Sequence, residues 1–363
     1  MKAVKRTFAL LLLAIPLFSV QGQSLAKFAD SIRVTYQIPE LCYAVVSSDT
    51  IFDIQFLGVR KSGTSLKAKP NDRFRIGSNT KGITSFIAAQ LIKKGLIKWD
   101  TKFFDLFPDL KQQSNGAYYN ITLLDLLSFR APMVHYTYTD KNPTIEEIEG
   151  KVAKSESEAR FAFVKWALRQ KRIKESKEFY FSNPSYSVAC LMLEKASGKT
   201  YEELVQDLNT QLGISFGFGS PNQLDTMQTW GHAEGNITEP LGNNFKLNWL
   251  MAAGNINVTL NDYSKFVQLQ LLGLGGKSKL LSASDFYLLH YGKPKFALGW
   301  FCDLSNSGHL VSHNMGNPGF FMTSALVIKD IDRAYIVFTN AQNPKTQEGI
   351  ELLLNAMKKE YGD

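Results

Sequence analysis

The segments that look like β-strands lie near the two ends of this chain, and segments with a helical period lie between them. Residues 41–47 and 51–59 are rich in β-branched and aromatic residues and flank a Ser-Asp-Thr turn, which predicts a hairpin. Strand-like runs return near the C-terminus, whereas residues 100–245 are mostly helical in period. Strands from the two ends of a chain can share one sheet when the residues between them form a separate, inserted domain. We expect an α/β (α+β) fold: an antiparallel sheet domain from residues 23–99 and 246–363, flanked by N- and C-terminal helices, with a mostly helical insert domain.

The first 22 residues have the features of a secretory signal peptide. Lys2, Lys5 and Arg6 precede an apolar stretch at residues 8–18, and small residues stand near residue 22. This stretch is short for a membrane-spanning helix, so an anchor that stays in the membrane is the less favoured alternative. We expect an exported protein, periplasmic or secreted, with no integral membrane segment after signal removal.

Charge, cysteine content and histidine content narrow the classes of partner and cofactor. The formal net charge is +8, and the basic residues outside the signal are dispersed rather than gathered in one stripe, so we expect no nucleic-acid partner. The 3 cysteines are distant from one another and the 5 histidines show no ligand spacing. We therefore predict neither a disulfide framework nor a metal site.

Ser78 stands where a helix is expected to begin, and Lys81 follows it by one helical turn. Apolar residues recur with a helical period from about residue 78, so the two side chains share one face of that helix. A serine hydroxyl becomes a nucleophile when a base removes its proton, and a lysine in a partly buried cleft can be that base. The helix N-terminus adds free N–H groups that stabilise an oxyanion. Spacing alone favours a capping serine and a solvated lysine, so the surrounding sequence decides.

Residues 72–81, Asp-Arg-Phe-Arg-Ile-Gly-Ser-Asn-Thr-Lys, closely resemble the nucleophile motif of the serine β-lactamase and penicillin-binding-protein superfamily. The resemblance is to its class C-like branch, which includes D-peptidases and esterases, and it implies a β-lactamase/transpeptidase-like fold. Matching segments follow in the family's order over nearly all of the chain after the signal. They are residues 91–97, 107–110, 121–127, 179–186, 194–198, 252–254, 298–300 and 313–320.

The resemblance also implies roles for individual residues. Ser78 would be the acylated nucleophile and Lys81 its proton partner. Asn183 would hold Lys81 and the substrate's amide or carbonyl, and His313 would begin the strand that lines the cleft opposite Ser78. The backbone N–H groups of Ser78 and Gly316 would form the oxyanion hole. The reaction would be acyl transfer from a D-peptide, a β-lactam or a simple ester, and it would need no metal or organic cofactor.

Three departures from the family pattern surround this expected cleft. Phe181 stands where the family usually has a tyrosine that moves protons, and the side chain of Tyr180 would point to the other face of an extended segment. Met315 replaces a motif glycine and would crowd the strand edge along which a substrate lies. Residues 129–132, Phe-Arg-Ala-Pro, replace the usual His-Thr-Ser-Gly. The residues expected to contact substrate are Phe181, Tyr180, Met315 and Asn314.

Two functional hypotheses follow from these observations. In the first, the protein is a serine hydrolase or acyltransferase acting on a small-molecule or peptide substrate, with Lys81 alone, or Lys81 with His313, as the base. In the second, it is a catalytically weakened family member that binds peptide or cell-wall fragments without efficient turnover. We favour the first hypothesis, because a chain selected only for binding has no chemical need for a paired serine and lysine.

Overall fold

A computed structural model of the protein describes residues 18–150, 155–174, 179–223, 225–238 and 246–363. Residues 1–17 of the predicted signal peptide lie outside the described residues, as do residues 239–245, which precede the predicted domain boundary. Within the described ranges, no helix combines the length and the apolar character that crossing a bilayer requires. Export and the exact division into domains stay predictions.

The strands unite the two ends of the chain. The described strands are β1 (Glu40–Val46), β2 (Ile51–Gly58), β3 (Arg73–Arg75), β4 (Gly217–Phe218), β5 (His232–Ala233), β6 (Asn236–Ile237), β7 (Ile256–Thr259), β8 (Lys295–Phe296), β9 (Phe301–Leu304), β10 (Leu310–Gly316), β11 (Met322–Ile328), β12 (Arg333–Thr339) and β13 (Ala341–Gln342). Seven of them form one antiparallel sheet in the order β2-β1-β12-β11-β10-β9-β8. In it Leu41 of β1 lies opposite Thr339 of β12. This pairing confirms the expected antiparallel sheet and the fold class.

The helices lie around this sheet and between its two parts in sequence. The described α-helices are α1 (Phe18–Thr35), α2 (Thr80–Lys93), α3 (Phe103–Leu106), α4 (Leu123–Leu127), α5 (Ile145–Glu149), α6 (Glu156–Arg169), α7 (Asn183–Ser197), α8 (Tyr201–Leu212), α9 (Lys246–Trp249), α10 (Met251–Gly254), α11 (Leu260–Leu274), α12 (Ala283–Tyr291) and α13 (Pro344–Tyr361). Proline stands in the first turn of α7, and Gly198 ends the same helix in the left-handed conformation.

Both faces of the sheet are buried, and alternate residues of β1 belong to two different cores. Leu41, Tyr43 and Val45 pack in a core with α1 and α13. The intervening residues of β1 pack in a larger core that includes α2, α11 and α12. In that larger core the ring of Phe86, on α2, meets the ring of Phe266 edge-on with centroids 5.9 Å apart. Since α2 is buried along most of its length, the helix that carries Lys81 is held rigidly.

A second, small sheet positions the start of α2, and the sequence did not reveal it. This sheet has the order β3-β7-β4, and its strands contain only two to four residues each. Runs this short are too brief to show a clear alternating pattern. Strand β3 pairs antiparallel with β7, with Phe74 opposite Val258, immediately before the turn that holds Ser78.

Candidate active site

Ser78 lies in a tight turn between a short strand and a core helix. The β3–β7 ladder is extended by the hydrogen bond from the Ile76 nitrogen to the Ile256 carbonyl (3.0 Å), and a single 3-10 turn then leads into α2. Gly77 has φ +50°, and a Cβ on it would lie 2.7 Å from the backbone nitrogen of Asn317. Only glycine permits this approach, which brings Ser78 against the end of β10.

The Ser78 hydroxyl and the Lys81 amine meet at the beginning of α2. Lys81 Nζ lies 2.8 Å from Ser78 Oγ and donates to the Ala253 carbonyl, also at 2.8 Å. Lys81 is 1% exposed, and no carboxylate of the described residues forms an ion pair with it. Burial lowers the pKa of Lys81 from 10.5 to about 7. A substantial fraction of the amine is therefore neutral at pH 7 and able to take the proton of Ser78.

The group that holds Lys81 differs from the one expected from the sequence. Asn183 Nδ2 donates to the Tyr136 carbonyl at 3.1 Å, and no hydrogen bond between described residues joins Asn183 to Lys81. The carbonyl of Ala253, at the end of α10, is the acceptor instead. Every residue has a backbone carbonyl, so the pattern of side chains in the sequence does not show which carbonyl accepts from Lys81. Asn183 does line the cavity in front of Ser78, where its amide can meet a substrate.

A cavity of about 260 Å³ opens in front of Ser78. A larger open groove of about 840 Å³ lies between α6, α7 and α8, but neither Ser78 nor Lys81 lines it. The chemistry therefore points to the smaller cavity. Its wall combines apolar side chains with a few amides, among them Phe181, Leu250, Met315, Pro318, Asn183 and Asn317.

Met315 and Asn314 are neighbours on β10 but have different surroundings. Met315 lines the cavity, so it is placed to contact a substrate. Asn314 is buried, and its Nδ2 donates to the carbonyls of Ser78 (3.0 Å) and Gly299 (2.6 Å). Asn314 does not belong to the described cavity wall, and its contact with a substrate stays a prediction. Its amide instead ties the backbone of Ser78 to the central sheet.

We expect Asn314→Ala to lower the free energy of unfolding by about 1–3 kcal/mol, because two inward-facing carbonyls lose their donor. One of these carbonyls belongs to Ser78, so activity should decline as well. Urea unfolding measures the stability, with Asn236→Ala, an exposed asparagine on β6, as the matched control. Equal stability of the two variants would show that the Asn314 hydrogen bonds contribute nothing.

Gly316 lies where β10 meets the turn that carries Ser78. A Cβ on Gly316 would lie 1.8 Å from the Ile76 carbonyl oxygen, so only glycine fits this crossing. Gly316 is buried, whereas the next residue, Asn317, lines the cavity. The backbone of these two residues borders the space beside Ser78. The oxyanion role of the Ser78 and Gly316 N–H groups is compatible with this placement and stays a prediction.

His313 makes its contacts with β9 rather than with the nucleophile. Its ring stacks on Phe301 with centroids 5.6 Å apart, and its Nε2 lies 3.4 Å from Asp303. The side chain is 37% exposed. No hydrogen bond between described residues joins His313 to Ser78 or Lys81. The hypothesis that His313 shares the role of base has no support in these contacts, and Lys81 is the base that the geometry favours.

The tyrosines nearest to position 181 do not supply the missing hydroxyl. The ring centroid of Phe181 lies 5.5 Å from Lys81 Nζ, and the ring lines the cavity. The Tyr186 ring lies 5.6 Å from the same amine, but its hydroxyl is buried and donates to the Leu127 carbonyl at 2.7 Å. Tyr180 does not belong to the described cavity wall, and its contact with a substrate stays a prediction.

Aromatic packing occupies the place next to Phe181 where the family motif usually has small and polar residues. Phe129 stacks on Phe296 with centroids 4.4 Å apart and lies 5.0 Å from the ring of Phe181. Its backbone has φ +58°, a conformation that aromatic residues adopt rarely. The replacement of the motif at residues 129–132 therefore stabilises an apolar wall beside Lys81.

Tyr138 lines the same cavity, and sequence analysis missed it. A Cβ on Gly319 would lie 2.0 Å from the Tyr138 hydroxyl oxygen, so this glycine, at φ +98°, makes room for the tyrosine. Tyr138 belongs to an irregular segment, in which no periodicity marks its position. Only the tertiary contact between that segment and Gly319 shows that it reaches the site.

The described residues include no group of three or more His, Cys, Asp or Glu side chains that could hold a metal ion. The 3 cysteines are free: Cys42 and Cys190 are buried, and Cys302 is partly exposed. Buried free cysteines pack as small apolar residues.

A family model described as Beta-lactamase matches residues 25–357 of this chain. Among curated proteins, Protein flp of Staphylococcus aureus (strain MW2) is 23% identical over 336 residues, which cover 89% of this chain but only 61% of that protein. Among solved structures, the octameric penicillin-binding protein homologue from Pyrococcus abyssi superposes with a TM-score of 0.72 at 18% identity, covering 93% of this chain and 78% of the other. The class C beta lactamase from Rhodobacter sphaeroides also has a TM-score of 0.72, at 15% identity, with 92% and 99% covered. These structures share the fold of this chain.

Proposed function

Because this chain belongs to the beta-lactamase family, we propose that it is a serine hydrolase that acts through a Ser78 acyl-enzyme on an amide or an ester. The observation that carries this proposal is the distance of 2.8 Å between Ser78 Oγ and Lys81 Nζ. Burial lowers the pKa of that amine to about 7, which suits a general base at neutral pH. The shared fold supports a hydrolase at the level of the family.

The steps of the reaction follow from the positions of these groups. Neutral Lys81 takes the proton of Ser78 Oγ as the oxygen attacks the substrate's carbonyl carbon, and the Ala253 carbonyl keeps the amine in place. Charge that develops on the carbonyl oxygen lies near the N-terminus of α2, whose N–H groups and dipole favour it. The bond to the leaving group breaks, and water or another acceptor then releases the acyl group from Ser78.

The cavity wall indicates which part of a substrate meets the protein. Phe181, Leu250 and Met315 present apolar side chains beside Ser78, so we propose that the substrate carries an apolar group next to its reactive carbonyl. The amides of Asn183 and Asn317 line the same cavity and can form hydrogen bonds with a substrate carbonyl or N–H. D-peptides, β-lactams and simple esters all offer this combination.

A catalytically weakened binding protein is the second candidate, and two contacts favour it. An apolar ring, Phe181, lies 5.5 Å from Lys81 where the family usually has a hydroxyl. The amide of Asn183 is bonded to the Tyr136 carbonyl rather than to Lys81. Both features would slow the proton transfers that the family's reaction requires, while the cavity stays open for a ligand.

Covalent labelling separates the two candidates. The protein is treated with a fluorescent phosphonate ester and, separately, with a fluorescent penicillin, and the site of any adduct is located by peptide mass spectrometry. We expect an adduct on Ser78 with at least one probe, blocked by prior incubation with an unlabelled ester. Absence of labelling by both probes, together with saturable binding of cell-wall fragments, would support the binding protein instead.

We expect Phe181→Tyr not to raise turnover, because the neighbouring aromatic wall holds this ring in apolar contacts and the site works without a hydroxyl there. A restored acid/base group would instead raise the rate by about 10²–10⁴-fold. The measurement is kcat/KM on an ester that the wild type hydrolyses, and Phe179→Tyr, which adds a hydroxyl in the same segment, is the matched control. A tenfold or larger gain in Phe181→Tyr alone would contradict this expectation.

We also propose that the chain is exported. The support is the basic start at Lys2, Lys5 and Arg6 followed by the apolar residues 8–18, of which only residue 18 belongs to the described residues. Determination of the N-terminus of the protein recovered from its native compartment tests this. A mature chain that begins near residue 23 agrees with export, whereas an intact N-terminus in the cytoplasmic fraction contradicts it.

A further inference from the structure

The site contains a base for Ser78, but the usual donor of a proton to the leaving group is missing. Phe181 has no hydroxyl, and the Tyr186 hydroxyl is buried in a hydrogen bond with the Leu127 carbonyl. An amide or alkyl ester has a poor leaving group, which departs slowly unless it is protonated as the bond breaks. Either the Lys81 ammonium that forms when Ser78 is deprotonated or a second donor on another element must supply that proton.

Tyr138 is the candidate for a second donor of this kind. It lines the cavity together with Ser78 and Phe181, and it comes from the irregular segment between α4 and α5. Its hydroxyl oxygen lies so near Gly319 that a Cβ there would be 2.0 Å away. None of the hydrogen bonds between described residues uses this hydroxyl, so it is available to a substrate.

A buried cation acts electrostatically on the same side chain. Arg75 is 1% exposed, and its guanidinium donates to the side chains of Asn255 and Ser220 rather than to a carboxylate of the described residues. It lies near enough to Tyr138 for an electrostatic attraction to a phenolate. Burial raises the pKa of Tyr138 while Arg75 acts in the opposite direction. The hydroxyl is thus protonated at neutral pH, and the anion that it leaves after donation is stabilised.

We propose that Tyr138 is the acid that protonates the leaving group when Ser78 is acylated, an inference that rests on the proposed function of Ser78. As Ser78 Oγ bonds to the carbonyl carbon, its proton passes to Lys81. The bond from that carbon to the leaving oxygen or nitrogen breaks, and the leaving atom keeps the electron pair and takes the proton of Tyr138. The Tyr138 phenolate, which the Arg75 charge stabilises, then regains a proton from the Lys81 ammonium, so that both residues return to their starting forms.

Two substrates that differ only in their leaving group distinguish a catalytic acid from a residue that only supports the structure. Two esters with the same acyl group are compared: a p-nitrophenyl ester, whose leaving group departs as a stable anion, and an ethyl ester, whose leaving group needs a proton. We expect Tyr138→Phe to lower kcat/KM on the ethyl ester by about 10²-fold or more, and to lower kcat/KM on the p-nitrophenyl ester by a much smaller factor. Tyr136→Phe, which removes a buried hydroxyl from the same segment, is the matched control and should affect both esters equally.

Equal losses on the two esters in Tyr138→Phe, or no loss on either, would overturn the role of Tyr138 while leaving the proposed function intact. A wild-type protein that hydrolyses neither ester and takes no phosphonate on Ser78 would overturn both proposals. If the phosphonate labels Tyr138→Phe to the same extent as the wild type, the variant is folded. A further measurement needs no variant: across esters with one acyl group, proton donation predicts a weak dependence of kcat/KM on leaving-group pKa, and a steep dependence contradicts it.

Discussion

Ser78→Ala is expected to abolish covalent labelling by phosphonate and penicillin probes and to lower kcat on the order of 10⁶-fold, as loss of a serine nucleophile does elsewhere. The reason is that Ser78 carries the hydroxyl that lies beside the base, with its Oγ 2.8 Å from Lys81 Nζ. Removal of Oγ takes away the atom that forms the acyl bond, whereas the cavity and its amides stay in place. Ligand binding should therefore persist in the variant while turnover disappears.

The matched control for this prediction is Ser85→Ala. Ser85 lies on α2, the helix that begins just after Ser78, but it is wholly buried, and its only described hydrogen-bond neighbour is the Tyr186 hydroxyl at 3.4 Å. This variant should keep labelling and turnover. Retention of covalent labelling in Ser78→Ala would place the nucleophile elsewhere and remove the basis of the proposed mechanism.

Lys81→Met is expected to lower kcat/KM by about 10²–10⁴-fold, because the base that takes the Ser78 proton is lost. At the same time, the folded state should become more stable, since a buried amine without a carboxylate partner is replaced by an apolar side chain of similar length. Ester hydrolysis and urea unfolding measured on the same samples test both parts. Lys94→Met, at the exposed end of the same helix, should change neither quantity appreciably. Lower stability together with lower activity would show that Lys81 acts mainly as a structural residue.

The pH dependence of the wild type provides an independent check on Lys81. Its neutral form is the active base, and its pKa in the folded protein is about 7. The kcat/KM for ester hydrolysis should therefore be low at acidic pH and rise to a plateau as the pH passes through about 7. A rate that changes little between pH 6 and 8 would contradict a lysine base with this pKa.

The same shift in pKa has a consequence for folding. Between pH 7 and 10.5 the unfolded chain binds more protons at Lys81 than the folded protein does, because the pKa falls from 10.5 to about 7 on burial. The free-energy cost of burying this amine is therefore fully present below about pH 7 and decreases as the pH rises toward 10.5. The difference in stability between Lys81→Met and the wild type should shrink over this range.

The fold could be predicted to a large extent from the sequence, because its main elements carry strong periodic patterns. The hairpin of β1 and β2 lies within a few residues of its expected limits, and the terminal helices α1 and α13 pack against the sheet as expected. The small sheet β3-β7-β4 could not be predicted, since its strands are too short to show alternation and pair across distant parts of the chain.

The candidate site was only partly predictable. Ser78 and Lys81 are one helical turn apart, and helix geometry alone brings their side chains together. The acceptor that holds Lys81 is the Ala253 carbonyl, and the amide of Asn183 has another partner. Backbone groups of distant segments, such as this carbonyl, carry no side-chain signature. Their role depends on how α2 and α10 pack.

The sequence by itself determined the order of the elements and the pairing of hydroxyl and amine at the start of α2, because both follow from local periodicity and spacing. The tertiary structure alone decided which groups surround that pair. It directs His313 to Asp303 and Asn314 to the Ser78 carbonyl, and it brings Tyr138 into the cavity. These contacts join residues far apart in the chain, and their geometry depends on close packing between the sheet and the inserted helices, which no local pattern encodes.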